Sequence, residues 1–177
     1  MTPKELKARS KFLSYILRHK PETLDLTMDP QGWVAIDQII VSSTQPVSHD
    51  QILEIARSNS KQRFAISADG QSIRANQGHS IPIDLGLPAC EPPEILYHGT
   101  ALANLAPILA HGLNRQARHH VHLSPDTETA RNVGMRHGKP VVLMVKASQM
   151  HQAGFEFLLT QNGVWLCDAV PPEYLRQ

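Results

Sequence analysis

The sequence is poor in the residues that mark several common classes of protein. Aromatic side chains make up 5% of its 177 residues, and its two cysteines, Cys90 and Cys167, stand in no metal or redox spacing. A net charge of +1 does not suit a uniformly basic nucleic-acid-binding protein. No apolar run approaches the roughly 18 residues of a membrane span, and no apolar stretch follows the basic N-terminus as in a signal peptide. We therefore expect a cytoplasmic protein that does not enter a membrane.

Two common nucleotide-binding motifs are also absent. No Gly-x-Gly-x-x-Gly follows a strand and no P-loop is present, so a bound nucleotide would have to be held by another route.

The length suits one large domain or two small ones. Prolines at positions 82, 88, 92 and 93 predict a semi-rigid linker over 82–94. We expect this linker to separate a lobe at 1–81 from a lobe at 95–177.

Local patterns in the first lobe predict helices followed by a hairpin. The expected elements are helix 4–19, strand 32–36, helix 37–41, helix 49–58, and hairpin strands 63–67 and 72–75. Asp37 and Ser48 are the expected N-caps, and Asp69-Gly70 supplies the hairpin turn. This order favours a winged-helix-like lobe, a shape often used on nucleic acids, although a fold alone does not establish that use.

The second lobe is predicted to contain many short strands and few helices. The expected strands are 95–98, 121–123, 141–145, 155–159 and 164–166, and the expected helices are 102–111 and 127–137. Pro107 starts or kinks the first of these helices, Gly112 is its expected C-cap, and Asp126 caps the second. Asn162-Gly163 turns the last two strands. The pattern favours an α+β fold over a doubly wound parallel sheet.

A basic run opens the chain. Residues 1–20 hold six basic side chains and one acidic side chain, a local net charge of +5 that suits a polyanion. Lys11, Tyr15 and Arg18 share one helix face because they are spaced by four and three residues. The alternative is a solvated face whose last residues, Arg18, His19 and Lys20, cap the helix C-terminus.

A histidine-rich stretch holds Arg118, His119, His120 and His122 around a β-like core. Because side chains alternate along a strand, His120 and His122 face one way while the apolar residues between them face the other. A second stretch of this kind surrounds His98. We interpret the two strands as the wall of a dinucleotide site, with Arg118 holding a phosphate. A zinc site of three histidines is the alternative. It is disfavoured because no acidic or cysteine ligand other than Asp126 and Glu128 stands near them, and because nearby arginines would oppose a dication.

Arginines without close carboxylate partners in the sequence are good candidates for phosphate binding. The planar guanidinium group matches two phosphate oxygens at once. Arg18, Arg63 and Arg118, together with His19, are therefore the candidate phosphate-binding group.

Eight motifs along nearly the whole chain occur in the same order in a known family. They are Arg18-His19-Lys20-Pro21 within residues 10–21, Gly32-Trp33, Arg63-Phe64, Gln77-Gly78-His79-Ser80, Leu96-Tyr97-His98-Gly99-Thr100, Val121-His122-Leu123-Ser124, Arg136-His137-Gly138 and Asn162-Gly163-Val164-Trp165-Leu166. Through them the chain resembles the RNA 2′-phosphotransferase family, also called tRNA 2′-phosphotransferases.

The resemblance implies a winged-helix N-terminal lobe and an ADP-ribosyltransferase-like C-terminal lobe. It implies that NAD⁺ is a co-substrate, that no metal is needed, and that the substrate is an RNA with an internal 2′-phosphate, as in tRNA splicing or RNA repair. The 2′-phosphate first displaces nicotinamide to give an ADP-ribosylated RNA. The ribose O2″ then attacks phosphorus, which releases 2′-hydroxyl RNA and ADP-ribose 1″,2″-cyclic phosphate. We expect the protein to act as a monomer.

The resemblance also assigns roles to residues. The family's catalytic set corresponds to Arg18, His19, Arg63 and Arg118. The NAD⁺ contacts correspond to His98, Gly99, Thr100, Asn104, His122, Ser124 and Arg136. Val164 takes the position at which typical ADP-ribosyltransferases carry a glutamate.

Two other functions are open at this point. An ADP-ribosyltransferase acting on phosphorylated RNA or DNA ends would keep the fold and NAD⁺ but stop after the first step. A non-catalytic nucleic-acid-binding module would bind in a salt-dependent way that is indifferent to NAD⁺.

Overall fold

A computed structural model describes all 177 residues, which form two compact units, Met1–Gly86 and Leu87–Gln177. Both units combine helices with antiparallel sheets, which confirms the α+β class. No helix combines the length and the apolar character that a membrane span requires. The expected limits of the lobes, 1–81 and 95–177 with a linker at 82–94, stay a prediction.

The first unit contains three helices and a small sheet. Its elements are α1 (Pro3–Arg18), a 3₁₀ turn (Pro21–Leu24), β1 (Val34–Ala35), α2 (Ile36–Ser42), α3 (His49–Arg57), β2 (Phe64–Ile66) and β3 (Ser72–Ala75). The strand order is β1-β3-β2, with both pairs antiparallel. Ile16 and Leu17 of α1 pack with Ile52 of α3 and Ile73 of β3, all fully buried. Each such side chain contributes about 1.5–3 kcal/mol through burial.

Two helices of this unit begin with reciprocal side-chain caps. Thr2 and Glu5 form a capping box at α1, and Ser48 forms one with Gln51 at α3, which confirms Ser48 as an N-cap. The prediction that Asp37 caps α2 is wrong. This helix begins at Ile36, whose amide donates to the carbonyl of Gln71, the residue just before β3, so the first turn needs no side-chain cap there.

The predicted hairpin is confirmed, with β2 and β3 paired around an Asp-Gly turn. The amide of Gly70 donates to the carbonyl of Ser67, and Gly70 has a positive φ of 74°. The carboxylate of Asp69 accepts hydrogen bonds from the Ser67 hydroxyl and the Gln71 amide. The strand predicted at 32–36 shrinks to Val34–Ala35 because α2 starts directly after it.

The second unit contains eight short strands and three helices. Its elements are β4 (Leu96–Ala101), α4 (Leu105–His111), β5 (Leu113–Asn114), β6 (Val121–Leu123), α5 (Thr127–Gly134), β7 (Pro140–Val145), α6 (Ala147–Gln152), β8 (Leu158–Leu159), β9 (Trp165–Cys167), β10 (Ala169–Val170) and β11 (Leu175–Arg176). The strands form the antiparallel sheets β11-β7-β4, β6-β9-β8 and β10-β5. No doubly wound parallel sheet is present.

The two three-stranded sheets of this unit meet at β4 and β6. The amide of Tyr97 donates to the carbonyl of Ser124 over 2.9 Å, and the amide of Ser124 donates back over 2.8 Å. Leu96 and Leu123, each beside one member of this bridge, are buried in one core with Leu143. The side chains of β4 and β6 are therefore brought next to each other at the bridge.

Several helix and strand ends in this unit differ from expectation. Asp126 caps α5 as predicted, but the helix ends at Gly134 and not at residue 137. The strand predicted at 155–159 is reduced to Leu158–Leu159, because the amide of Phe155 still bonds the carbonyl of Met150 in the turn after α6. Gly112 ends α4 with a positive φ of 80°, which confirms it as the C-cap.

Both cysteines lie in the second unit as free thiols. Cys167 is buried in β9, and burial, aided by the nearby negative charge of Asp168, raises the pKa of its thiol to about 12. Cys90 is half-buried, and its amide donates to the carbonyl of Phe157.

Candidate functional site

The C-terminal end of α1 carries Arg18 and His19. Burial of Leu13, Ile16 and Leu17 fixes how the helix is rotated, and Arg18 is the last helical residue. His19 is the C-cap, and its amide donates to the carbonyl of Tyr15 over 3.0 Å. A helix C-terminus favours positive charge, so the position suits both side chains.

Segment 76–80, which follows β3, holds this end of α1. The amide of Ser80 donates to the carbonyl of Arg18 over 3.0 Å, and the hydroxyl of Ser80 lies 2.9 Å from Nδ1 of His19. At Gly78, which has a positive φ of 87°, a Cβ atom would lie 3.7 Å from Cζ of Arg18. The guanidinium group therefore lies against the backbone of the segment, and the imidazole of His19 is oriented by its last residue.

The same segment contacts Arg63 at its other end. The amide of Asn76 donates to the carbonyl of Arg63 over 2.9 Å. Nη1 of Arg63 donates to Oδ1 of the buried Asn59, whose Nδ2 donates to the hydroxyl of Ser10 on α1. Segment 76–80 and Asn59 thus tie Arg63 to the helix that carries Arg18.

Gln62 shapes the backbone immediately before Arg63. It adopts a left-handed conformation with a φ of 42°, which is costly for a residue with a side chain. Its amide donates to the carbonyl of Asn59 over 2.7 Å, and its carbonyl accepts from Nδ2 of Asn76 over 2.6 Å. Three of the four residues proposed from sequence as the phosphate-binding group are therefore held by one hydrogen-bonded network in the first unit.

In the second unit, β4 carries His98 and β6 carries His122. Nδ1 of His98 lies 3.1 Å from the carbonyl oxygen of His122, and Nδ1 of His122 lies 3.0 Å from the carbonyl oxygen of His120. A carbonyl can only accept, so each Nδ1 carries the hydrogen. In a neutral imidazole with its hydrogen on Nδ1, Nε2 is the nitrogen that can accept a hydrogen bond.

His98 is kept neutral by its surroundings. Burial lowers the pKa of His98, the hydrogen bond to the His122 carbonyl opposes that shift, and the positive charges of Arg118 and His137 lower the pKa further. The imidazole is therefore uncharged at neutral pH, with the guanidinium group of Arg118 acting on it. This arrangement suits an anionic molecule better than a metal cation.

Gly99 and Thr100 lie beneath α5. A Cβ atom on Gly99 would lie 1.6 Å from the carbonyl oxygen of Ala130, so only glycine fits at this position of β4. Thr100 is buried, and its hydroxyl accepts a long hydrogen bond of 3.5 Å from Nδ2 of Asn104. Gly134 of α5 approaches the carbonyl of Thr100 in the same close way. Close backbone packing of α5 on β4 thus sets the position of these residues.

Ser124 directly follows β6, and Val164 directly precedes β9. These strands pair with Leu123 opposite Trp165, so Ser124 and Val164 are the next opposed positions in the same register. The hydroxyl of the buried Thr160 lies between the amide and the carbonyl of Val164, at 2.9 Å from each. Gly163, at a positive φ of 76°, completes the turn. The turn therefore fixes the backbone of Val164, the apolar residue that the resemblance aligns with the glutamate of typical ADP-ribosyltransferases.

Arg118 and Arg136 are exposed residues of the second unit. Arg118 lies in the loop before β6, where its amide donates to the carbonyl of Arg115. Arg136 lies in the turn after α5, where its amide donates to the carbonyl of Val133. Arg118 therefore belongs to a different unit from Arg18, His19 and Arg63.

No group of three or more histidine, cysteine or acidic side chains comes together in a way that could hold a metal ion. His98 and His122 each use Nδ1 on a main-chain carbonyl. The zinc alternative considered from the sequence therefore finds no ligand set in this structure.

The supporting residues were not predicted. Asn59, Asn76 and Ser80 hold the candidate side chains of the first unit, and none was given a role from sequence. Ser80 stands in one of the quoted motifs, which gave it no role. Asn59 stands in no pattern, and only its burial with two side-chain partners reveals it.

Comparison with known proteins defines the family. The model of the RNA 2′-phosphotransferase, Tpt1 / KptA family matches residues 4–169. A protein of Trichormus variabilis is 52% identical over 169 residues, 94% of this chain and 93% of its own length. A protein of Acaryochloris marina is 51% identical over 173 residues, 96% of each chain. One from Nostoc punctiforme is 46% identical over 180 residues, 100% of this chain and 99% of its own length. All three carry the name "Probable RNA 2'-phosphotransferase".

These matches cover nearly the whole chain at about 50% sequence identity, and they identify an enzyme that belongs to a family of RNA-modifying transferases. The chain belongs to the RNA 2′-phosphotransferase, Tpt1 / KptA family.

Proposed function

We propose that this RNA 2′-phosphotransferase is NAD⁺-dependent. It transfers an internal RNA 2′-phosphate to NAD⁺ through an ADP-ribosylated RNA, giving 2′-hydroxyl RNA, nicotinamide and ADP-ribose 1″,2″-cyclic phosphate. The observation that carries the proposal is the family match over residues 4–169. The arrangement of cations in each unit supports it.

Each unit has a shape that suits this reaction. We assign a winged-helix-like fold to the first unit, supported by its three helices and the sheet β1-β3-β2 with its β2–β3 hairpin. We assign an ADP-ribosyltransferase-like fold to the second unit, supported by two antiparallel sheets that meet at the bridge between Tyr97 and Ser124.

In this proposal the RNA phosphate is held by Arg18, His19, Arg63 and Arg118. Guanidinium groups bind phosphate oxygens in pairs and offset the negative charge that builds up as phosphorus becomes five-coordinate. His19, oriented by the Ser80 hydroxyl, positions the phosphate or donates a proton to the departing RNA 2′-oxygen. Fixed hydrogen bonds to Arg63 and His19 keep these groups in place before substrate arrives.

The second unit supplies groups that fit a dinucleotide. The residues that would hold NAD⁺ are His98, Gly99, Thr100, Asn104, His122, Ser124 and Arg136. NAD⁺ contributes the acceptor ribose and a nicotinamide leaving group. The fit is supported by the neutral ring of His98, whose Nε2 can accept a hydrogen bond. The guanidinium group of Arg136 suits the pyrophosphate of a dinucleotide.

The apolar side chain of Val164 is consistent with a phosphate nucleophile. A phosphate is already anionic and needs no carboxylate base to activate it. A glutamate there would also bring a negative charge toward the incoming RNA phosphate, which is unfavourable.

The first test is turnover of a short synthetic RNA with one internal 2′-phosphate, measured with and without NAD⁺ and without added metal. We expect NAD⁺-dependent loss of the phosphate and formation of the cyclic phosphate product. Arg18→Ala and Arg118→Ala should stay folded while kcat falls by about 10²–10³-fold, as is typical when one charge-stabilising donor is removed. ADP-ribosylated RNA should accumulate in these variants. Arg57→Ala, which removes an exposed arginine of α3, is the matched control.

Other outcomes would identify another function. ADP-ribosylated RNA as the final product of the wild-type protein would indicate an ADP-ribosyltransferase of nucleic-acid ends. Folded protein that binds RNA equally with and without NAD⁺, and forms no product, would indicate a binding module. Normal turnover by Arg18→Ala or Arg118→Ala would overturn the residue assignment.

A further inference from the structure

One exposed face of α1 carries positive charge that the reaction chemistry does not use. Lys7 and Lys11 are exposed, and no carboxylate lies within ion-pairing distance of either. Lys20, just after the helix, does form an ion pair, with Glu22 at 3.2 Å. Two neighbouring cations without acidic partners repel each other, so the face is suited to a polyanion.

These lysines are aligned with Arg18. Residues spaced by four and seven lie on the same helix face, so Lys7, Lys11 and Arg18 follow one line. The face opposite this line is the buried one, with Leu13, Ile16 and Leu17 in the core. With a rise of 1.5 Å per residue, Lys7 lies about 16 Å from Arg18 along the helix axis. The line of cations thus leads along α1 to the candidate phosphate-binding residue at its end.

An exposed tyrosine lies beside this line. The chain has four Phe, three Tyr and two Trp, and of these only Phe12 and Tyr15 are largely exposed, at 42% and 46%. Tyr15 is one helical turn before Arg18, and its carbonyl accepts from the amide of His19. Aromatic rings next to cations are the usual platform on which bases of single-stranded RNA stack. We call Lys7, Lys11 and Tyr15 the α1 stripe.

We propose that the α1 stripe binds the single-stranded RNA that flanks the 2′-phosphate. Lys7 and Lys11 contact backbone phosphates, and Tyr15 stacks on a base of an adjacent nucleotide. This inference rests on the proposed function, because Arg18 fixes which phosphate lies at the end of the stripe. Single-stranded RNA is favoured over a duplex because bases in a duplex are already stacked on each other and cannot reach an exposed ring.

The proposal predicts that RNA length matters. Substrates of two, four and eight nucleotides, each with one 2′-phosphate, are compared by kcat/KM. We expect wild-type kcat/KM to rise with length, and K7A/K11A and Tyr15→Ala to lose most of that rise. For Tyr15→Ala the loss on the octamer should be at least about fivefold, the lower range for one base stacked on an aromatic ring. Tyr15→Phe, which keeps the ring, should retain the length effect, and Arg57→Ala is the charge control.

The salt dependence of RNA binding distinguishes lysines that contact phosphates from lysines that only support the fold. Each phosphate contact on a single strand contributes about 0.7 to the slope of log affinity against log salt concentration. The slope for the octamer in K7A/K11A should therefore be shallower than in the wild type by about 1.4. Tyr15→Ala should weaken binding while leaving the slope unchanged. A loss caused by altered folding would not produce this separation, and unfolding midpoints of the variants should match the wild type.

The outcomes distinguish this inference from the proposed function. If the wild type converts all three lengths equally well, or if K7A/K11A leaves the salt slope unchanged, the α1 stripe does not bind RNA although the phosphotransferase stands. If the wild type converts none, the proposed function fails, and fluorescence anisotropy of an unphosphorylated octamer then tests the stripe. Weaker binding by K7A/K11A with a shallower salt slope would support it, and unchanged binding would overturn it.

Discussion

The two units of this protein hold their candidate residues in opposite ways. In the first unit the candidates are two arginines and a histidine, positioned by hydrogen bonds from Asn59 and Ser80 and by the backbone of segment 76–80. In the second unit most candidates are short or neutral groups on or next to strands, and their positions follow from strand register and close packing of the backbone, whereas Arg118 and Arg136 lie exposed in loops. Hydrogen bonds to side chains therefore position most candidates of the first unit, and backbone packing positions most candidates of the second.

This difference predicts how each unit responds to substitution. A charged side chain at the end of a helix can be removed with little effect on the fold, so activity is lost first. A residue whose backbone touches another backbone cannot change without moving both elements, so stability is lost first. Three substitutions test this contrast, in order of decreasing effect.

Gly99→Ala should have the largest effect because its Cβ would collide with the Ala130 carbonyl oxygen at 1.6 Å. We expect the second unit to lose about 3 kcal/mol or more of stability, or to fail to fold, measured by denaturant unfolding. Gly154→Ala is the control in the same unit. Its Cβ meets nothing within 4 Å, and its positive φ of 95° is expected to cost only about 1–2 kcal/mol. Equal losses in the two variants would contradict the close packing of α5 on β4.

Ser80→Ala should affect activity and leave stability nearly unchanged. Ser80 is exposed, so its removal should change the free energy of unfolding by no more than about 0.5 kcal/mol. It also removes the group 2.9 Å from Nδ1 of His19, so we expect kcat to fall about tenfold as the imidazole loses its fixed orientation. Ser60→Ala, at an exposed serine with no such contact, should leave kcat unchanged. A stability loss without a kcat loss would reverse the contrast drawn between the units.

A pH series on His98 should show the smallest effect. Burial lowers the pKa of His98 in the folded protein, so the unfolded chain takes up a proton at higher pH than the folded one. Stability from this group is therefore complete above about pH 6.5 and is lost as pH falls from there toward the lowered pKa. The denaturation midpoint of the wild type should drop more steeply over that range than that of His98→Gln. His111→Gln, at an exposed histidine, should follow the wild type.

Local signals explain what could be predicted from sequence. The amphipathic pattern predicted α1, apolar residues and the cap Ser48 predicted α3, and Asp69-Gly70 predicted the hairpin, because each depends on residues close in the chain. Along β6, the expected alternation is confirmed, with Val121 and Leu123 buried and His122 between them half-buried.

Elements that depend on distant partners could not be predicted. The strands β5, β10 and β11 have two residues each, and each exists only because a partner far along the chain pairs with it. The helix α6 buries only Ala147 and Met150, too few residues to show a helical period. Asp37 was a reasonable cap by residue type, but the first amide of the helix, that of Ile36, already donates to the carbonyl of Gln71 in the hairpin turn.

The same distinction between local signals and distant contacts applies to the candidate site. Sequence motifs named the residues, since a motif records residue type and order. The motifs could not show that His98 bonds the carbonyl of His122, or that Asn59 links Arg63 to Ser10, because these contacts depend on register and on side-chain conformation.

The two cysteines make the protein convenient for chemical labelling. With the pKa of Cys167 raised to about 12, only about one in 100,000 of its thiol groups is ionised at neutral pH, and the side chain is also buried. Alkylating reagents attack the thiolate, so Cys167 should remain unmodified in the folded protein. Cys90 is the partly accessible thiol, three residues after the boundary between the units. Maleimide dyes should therefore attach at a single defined position near that boundary without any prior mutation.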